Sequence, residues 1–406
     1  MPEHATGLDL AGVRARFPAL AGRAAFFDGP GGSQAPASVI EAMSTYLRSS
    51  NANLGGTFRT SSESDAVIAA GRQALGDLTG SRPEEIAFGA NMTTLNFLLA
   101  HAVARTLDPG DEIVVTDLDH DANVSPWLLV ASDHGLVVRR APIRTGDGTL
   151  DEGALGDLLG ARTRVVAFTL ASNALGSITD ARRVAEMAHS AGALAWADGV
   201  HLAPHRRPDR TGLGIDVLLC SPYKFFGPHL GVAAIRQDLA ERLPADRVQA
   251  ADEWPPGHRF ETGTQSHEAI AGATAAVDYL RSLGDGSLDT AYDRIGAHED
   301  GLTRRFLEAA PVVPDLDLYG IADPARSAER TPTFCFNLAG HEPRDLAAAL
   351  ARRDIYVWDG HYYALGPMRA LSLGERGAVR AGFLHYTTEA EVDRLVAALG
   401  DLATAA

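Results

Sequence analysis

Two residues of reactive type stand in a suggestive order, Asp198 in Ala195-Trp196-Ala197-Asp198-Gly199-Val200-His201 and Lys224 in Cys220-Ser221-Pro222-Tyr223-Lys224-Phe225-Phe226-Gly227-Pro228. A strand-end aspartate followed by a lysine in a Ser-x-x-Lys turn points to pyridoxal phosphate. The lysine amine would hold the cofactor aldehyde as a Schiff base, and the carboxylate would keep the pyridine nitrogen protonated so that the ring accepts electrons. Taken singly, a lysine after a strand is an ordinary solvated loop residue and the aspartate an ordinary cap. The flanks argue otherwise. Val217 to Cys220 is a buried-type apolar run, and Phe-Phe-Gly-Pro restricts how the backbone leaves the turn.

The elements that must position these residues read as alternating strands and helices. Between Glu84 and Arg236 short apolar runs recur at Ile86-Phe88, Glu112-Val115, Arg164-Phe168, Ala193-Trp196, Val217-Cys220 and Gly231-Ile235. Runs apolar on both faces predict a mostly parallel sheet between helices, an α/β fold. Asp180 is placed to cap a helix over Ala181-Ala188. Beyond Thr264 longer helices are expected over Ala269-Leu283 and Asp293-Ala309, then a few strands and a helix from Thr388 to Leu402. That pattern is an α+β unit. The expected division is an N-terminal segment 1–20 packing on the small domain, a large domain 21–266 and a small domain 267–406, with Pro244 to His258 as a surface excursion.

In such sheets ligands sit beyond the carboxyl ends of strands, which collects further candidates. Gly89-Ala90-Asn91-Met92-Thr93-Thr94 opens a helix, so Asn91, Met92 and Thr93 would offer backbone N–H groups and a hydroxyl to a phosphate. The alternative use is a plain helix cap. His120, in an acidic loop, is placed to stack on a pyridine ring and shuttle protons. Asn173 is a candidate donor to the cofactor phenolate, although Asn-x-x-Gly also reads as a turn.

The chain has 406 residues and is 46% hydrophobic, enough for a large core in two domains. A formal charge of -16 argues against nucleic acid or an anionic membrane as partner. Cys220 and Cys335 are the only cysteines and form no paired spacing, so neither a disulfide framework nor a metal site is indicated. The start, Met1-Pro2-Glu3-His4, has no leader pattern, and no apolar run reaches the length of a membrane span. A cytoplasmic location is the expectation.

The order of these motifs resembles the class V aminotransferase superfamily of fold type I pyridoxal phosphate enzymes, and within it the SUF-type cysteine desulfurases and selenocysteine lyases. Phe26-Phe27-Asp28 is similar to that family's Tyr-Leu-Asp, and His120-Asp121-Ala122-Asn123-Val124-Ser125-Pro126-Trp127 to its His-His-Ala-Asn-x-x-Pro-Trp. Ser172-Asn173-Ala174-Leu175-Gly176 resembles Ser-Asn-x-x-Gly, and Asp198-Gly199-Val200-His201 resembles Asp-Gly-Ala-Gln. The resemblance implies a large domain with a mostly parallel seven-stranded sheet and a smaller C-terminal α+β domain. It assigns Lys224 to the cofactor aldehyde, His120 to the ring face, Asp198 to the pyridine nitrogen, His201 to the phenolate, and Ser221 and Tyr223 to the phosphate. Arg259-Phe260-Glu261-Thr262-Gly263-Thr264 resembles a segment whose threonine reaches the phosphate of a neighbouring subunit, which implies a homodimer with Thr264 in a shared site. Arg380, in Val379-Arg380-Ala381-Gly382, matches the arginine that holds the substrate α-carboxylate in two parallel hydrogen bonds.

The pattern breaks where the desulfurases carry their persulfide-forming cysteine. Their Gly-His-His-Cys-Ala reads here Gly360-His361-Tyr362-Tyr363-Ala364. With Tyr363 in that place, a persulfide through this loop is excluded. His361 and Tyr363 become candidate acid-base or shape-setting groups, or packing anchors. Gly31 and Gly32 remove side chains near the expected substrate mouth, or form a turn. The expected reaction is β-elimination from a cysteine-derived amino acid by a C–S lyase. The alternatives on the same Lys224 are an aminotransferase or an amino-acid epimerase, and a protein of this fold that only carries the cofactor.

Overall fold

The computed structural model describes residues 7–405. Its centre is a seven-stranded sheet of β1 (Ile86–Gly89), β2 (Glu112–Thr116), β3 (Val137–Ala141), β4 (Thr163–Thr169), β5 (Leu194–Asp198), β6 (Val217–Cys220) and β7 (Gly231–Ile235). In space the order is β1-β7-β6-β5-β4-β2-β3. β7 runs antiparallel to both neighbours, and the other pairs are parallel.

Both faces of this sheet are buried, for the reason the apolar runs suggested. Phe88, Val114, Val166, Phe168, Leu218 and Val232 point into one hydrophobic core. Their neighbours Ala87, Ile113, Val115, Val165, Leu219 and Ala233 point into another on the opposite face. Alternation along each strand thus builds two cores from one sheet. β3 is the strand the apolar pattern did not reveal. It lies at the sheet edge, where Val137 and Arg139 are exposed and only Ala141 is fully buried, so it never forms an apolar run.

A smaller antiparallel sheet follows, β8 (Leu316–Tyr319), β9 (Thr333–Leu338), β10 (Trp358–Gly360) and β11 (Ala378–Gly382), in the order β8-β9-β11-β10. Its core joins Phe306, Phe334, Phe336, Val379 and Phe383 with Val392 and Leu395. Helices Leu288–Ala309 and Glu389–Ala405 cover it. The first of these begins earlier than the expected Asp293, because the Ser287 side chain accepts the Thr290 N–H and caps it. Asp180 caps Ala181–Ser190 in the expected way.

Helix His267–Ser282, expected in the small domain, packs chiefly on helices Ala37–Ser49 and Arg59–Thr79 of the large-sheet unit. The N-terminal segment ties the two units together. Residues 1–6 of it lie outside the described part. Phe17 is buried among Tyr279, His385, Tyr386 and Phe226. Arg14 pairs with Glu391 at 3.0 Å. Further on, Ala25-Phe26 pairs in parallel with Ile355-Tyr356, and Ala25 and Phe27 enter the core of the smaller sheet. Among the described residues, no helix is long and apolar enough to cross a membrane.

One glycine fixes how the large sheet meets the helix Met92–Ala104. A Cβ on Gly231 of β7 would collide with the backbone carbon and oxygen of Asn91, the cap of that helix. Overpacking against backbone, which cannot rotate away, costs about 1–3 kcal/mol. Gly231→Ala is therefore expected to lower stability by about that amount, read as a lower thermal midpoint, and to reduce retained cofactor in the purified protein. Unchanged values of both would contradict the close approach.

Candidate active site

The strand ends bring most of the expected residues to one place. Asp198 is the last residue of β5. β6 ends at Cys220 and runs through Ser221 into a single turn, Pro222–Lys224, that presents the lysine. The Lys224 ammonium donates to the Pro30 carbonyl. Ser33 fastens this turn to the N-terminal loop, because its hydroxyl donates to the Tyr223 carbonyl at 3.1 Å and accepts the Phe226 N–H at 2.7 Å. At the end of β1 the Asn91 side chain caps helix Met92–Ala104 through the Thr94 N–H at 2.8 Å. The Met92 N–H donates to Ser221 Oγ at 3.2 Å. Ser221, Asn91, Met92 and Thr93 are thus drawn to one corner.

Arg380 enters from β11 of the smaller sheet and is buried, 4% exposed. It donates to the Asn173 carbonyl at 2.8 Å, and the Tyr362 ring lies 4.3 Å from its guanidinium carbon. Its Nε has no partner. Burial and then the Arg380 charge hold the Lys224 amine down to about 7, with Asp198 opposing them. Burial likewise lowers Arg380 to about 10. Burial raises the Asp198 carboxyl to about 6, against the Val200 N–H and Lys224, which favour its charged form. His120 is pushed down to about 3 by burial, then by Lys224 and Arg380, so its ring is neutral. His201 is held well below its usual range by burial and by the charges of His205, Arg380 and Lys224.

The polar contacts of three candidates differ from a simple reading of their types. Asn173 Nδ2 donates to the Tyr362 carbonyl at 2.9 Å, which leaves its Oδ1 without a partner. His201 Nε2 lies 3.0 Å from Thr333 Oγ1 and 3.3 Å from Thr331 Oγ1. The Tyr223 ring stacks on His229 at 4.9 Å and faces Gly32. His120 Nδ1 accepts the Ala122 N–H, and its ring lies 5.4 Å from that of Tyr363. The His361 ring is 5.7 Å from the same tyrosine. Thr264 stands apart from this group. It is exposed and lines a cavity of about 350 Å³ with Ala90 and Thr94.

Two acids belong to the site that the sequence pattern did not single out. Asp28 has a buried, unpartnered Oδ1, and burial raises it to about 6 although Arg380 opposes this. Asp119 is buried and pushed up to about 8 by burial, with the Asp198 charge adding to the rise. It accepts from Thr116 Oγ1 and from Asn123 Nδ2, and Asn123 continues to Asn96 and the Trp196 indole. This buried network holds the loop that carries His120. Its position just before His120 in sequence was the available signal, masked by the acidic run around it.

The donor set fits pyridoxal phosphate. Asp198 is a buried carboxylate bonded only by the Val200 N–H, so it lacks the cation a protonated ring nitrogen would supply. Lys224 is an amine already depressed toward its nucleophilic form, and Arg380 Nε and Asn173 Oδ1 are buried without partners. A lysine and an aspartate at neighbouring strand ends of a seven-stranded α/β sheet define a fold type I pyridoxal phosphate enzyme. The class V aminotransferase model matches residues 25–395, and the chain belongs to that family. It is 33% identical to a cysteine desulfurase of Pectobacterium carotovorum, over 95% of this chain and 96% of that one. An aminotransferase-like protein of Gibberella zeae is 31% identical, over 95% and 96%. The apo structure of a cysteine desulfurase from Thermococcus onnurineus superposes with a TM-score of 0.89 at 27% identity, covering 98% of both chains. The protein is a cysteine desulfurase-like, pyridoxal phosphate-dependent enzyme.

The depressed Lys224 amine sets a pH dependence. Below pH 7 its neutral fraction falls about tenfold per unit. Capture of added cofactor by the apo protein should therefore slow by about that factor per unit below pH 7 and level off above it. Because Arg380 lowers the lysine, Arg380→Ala should move the midpoint upward. Stopped-flow absorbance across pH checks both, and a midpoint that stays in place in the variant would contradict the coupling.

Proposed function

We propose that this enzyme is a β-eliminating lyase that breaks the Cβ–S bond of a cysteine-derived amino acid without passing sulfur to a protein thiol. What carries the reading is Tyr363, which by the motif resemblance stands where the desulfurases carry their persulfide-forming cysteine, together with the burial of both cysteines in strands. Cys220 is 1% exposed and Cys335 0%. Burial pushes the Cys335 thiol up to about 12 and raises Cys220 as well, so neither is a ready thiolate.

In this reading Lys224 would hold the cofactor, Asp198 would pair with its ring nitrogen and the neutral His120 would pack on the ring. Ser221, Tyr223 and the start of helix Met92–Ala104, with Asn91, Met92 and Thr93, would bind the phosphate. Asn173 and His201 would serve the phenolate oxygen. Bound pyridoxal phosphate supplies a sink for the electron pair left when the substrate α-carbon loses its proton. Arg380 binds and orients the α-carboxylate, and its unpartnered Nε supports that role. Once the substrate amine has displaced it from the cofactor aldehyde, the freed Lys224 amine would take the α-proton, for which a depressed pKa near the working pH is suited. The bonding pair of Cβ–S leaves on sulfur, which departs protonated as a thiol. Water then converts the remaining fragment to a 2-keto acid and ammonia. Tyr363 and His361 stand at the mouth as candidate proton donors to sulfur. The exposed Thr264 is free to reach a second copy of the chain, in keeping with a homodimer that shares its sites.

The test is product analysis on S-substituted cysteines. Thiol, keto acid and ammonia should form in equal amounts without an added amino acceptor. Dependence on a second keto acid would make the enzyme an aminotransferase, and inverted starting amino acid would make it an epimerase. The variant carrying both Cys220→Ala and Cys335→Ala should keep its turnover within about twofold, and Lys224→Ala should lose at least about a thousandfold. A cysteine-free variant that loses turnover while keeping its fold and cofactor would overturn the thiol-independent route.

A further inference from the structure

The rim of the site is aromatic, and the placement of two rings bears on the substrate side chain. Trp358 in β10 lies directly opposite Arg380 in β11. Opposed residues of an antiparallel pair put their side chains on the same face of the sheet, so Trp358 and Arg380 project from one face. The indole covers Gly31, where a Cβ would run into Trp358 Nε1. Gly31 follows Pro30, whose carbonyl accepts from Lys224. Glycine at this position therefore admits the Trp358 ring beside the loop that covers Lys224.

The second ring is Tyr363, held against His120. Tyr362 and Tyr363 both adopt left-handed backbone, with φ of 52° and 56°. Two successive bulky residues in that region are strained and persist only when their surroundings hold them. Three contacts do so. The Asn173 amide donates to the Tyr362 carbonyl, the Tyr362 hydroxyl donates to the Ala378 carbonyl, and the Asp121 N–H donates to the Tyr363 carbonyl at 2.7 Å. The loop is fixed while its outer ring is left in solvent, with Tyr363 64% and Trp358 49% exposed. Exposed aromatic side chains, one against His120 and one over Gly31 beside the lysine loop, are a surface for an apolar group attached to an amino acid.

Resting on the lyase reading above, we propose that the substrate is a cysteine whose sulfur carries an aromatic or similarly large apolar group, with Trp358 and Tyr363 as the residues that select it. The carboxylate on Arg380 anchors one end, and the S-substituent leaves the mouth along the two rings. Free cysteine would leave both rings wet and gain nothing from them. Elimination breaks Cβ–S, places the pair and one proton on sulfur, and releases the substituent as its thiol. No oxidant or reductant is needed.

The selection can be read by binding, apart from turnover. L-Norvaline and 2-amino-5-phenylpentanoate have the shapes of S-methyl- and S-benzyl-cysteine but no sulfur to eliminate, and each is titrated into the holoenzyme by calorimetry. The phenyl compound should bind at least about tenfold tighter. Trp358→Ala and Tyr363→Ala should each reduce that preference by about threefold or more, and Trp358→Phe should retain most of it. Equal affinities in the wild type, or a preference that neither alanine variant lowers, would overturn the proposal. Failure of S-benzyl-L-cysteine to yield thiol, with the binding preference intact, would overturn the lyase reading and leave the side-chain selection standing.

Discussion

Lys224 and Arg380 share one enclosure, and the cost of keeping two cations there governs the rest of the site. Removing a charge from water is expensive unless it is paired. Arg380 has no carboxylate in contact, only the Asn173 carbonyl and the Tyr362 ring. Its guanidinium keeps its proton, so the strain falls on the softer group and the lysine amine is depressed to about 7. Asp198 and Asp28 answer from the opposite sign, each raised by burial and each drawn back by one of the cations. Within it Arg380, whose buried Nε lacks a partner, is the group suited to an anionic guest such as a carboxylate.

The architecture delivers these charges from separate units. Asp198 and Lys224 come from adjacent parallel strands of the large sheet, whose two cores leave only the strand ends free for polar groups. Arg380 comes from the smaller sheet, and Asp28 from the segment that threads between them. Beneath His120 the chain of Thr116, Asp119, Asn123, Asn96 and Trp196 fills what would be an apolar layer with a fully connected network. Such a network rigidifies the loop above it only while every member is satisfied.

Much of this was readable before the structure, and the exceptions share a cause. Six of the seven central strands were apparent as apolar runs because burial on both faces writes itself into every residue. β3 was not, since this edge strand exposes Val137 and Arg139 and carries a second arginine, Arg140, so it resembles surface. Lys224 and Asp198 were legible from their local flanks. Asp119 was not, because the acidic residues around it masked its place before His120 and its burial arises only in the folded loop. Trp358 and Gly31 lie far apart in sequence, and their contact exists only because β10 and the N-terminal loop meet. The substitution at Tyr363 was visible, whereas its left-handed backbone and its place against His120 were not.

The pairing of Ala25-Phe26 with Ile355-Tyr356 bears on the order in which the molecule folds. The segment carrying Asp28, the Pro30 carbonyl and Gly31 precedes the large sheet in the chain, but its strand partner follows it. Contacts so distant along the chain form late and slowly. The large sheet can be complete while the lysine turn still lacks its N-terminal covering. Enclosure of the two cations is therefore expected late in folding, on a scaffold already finished beneath them.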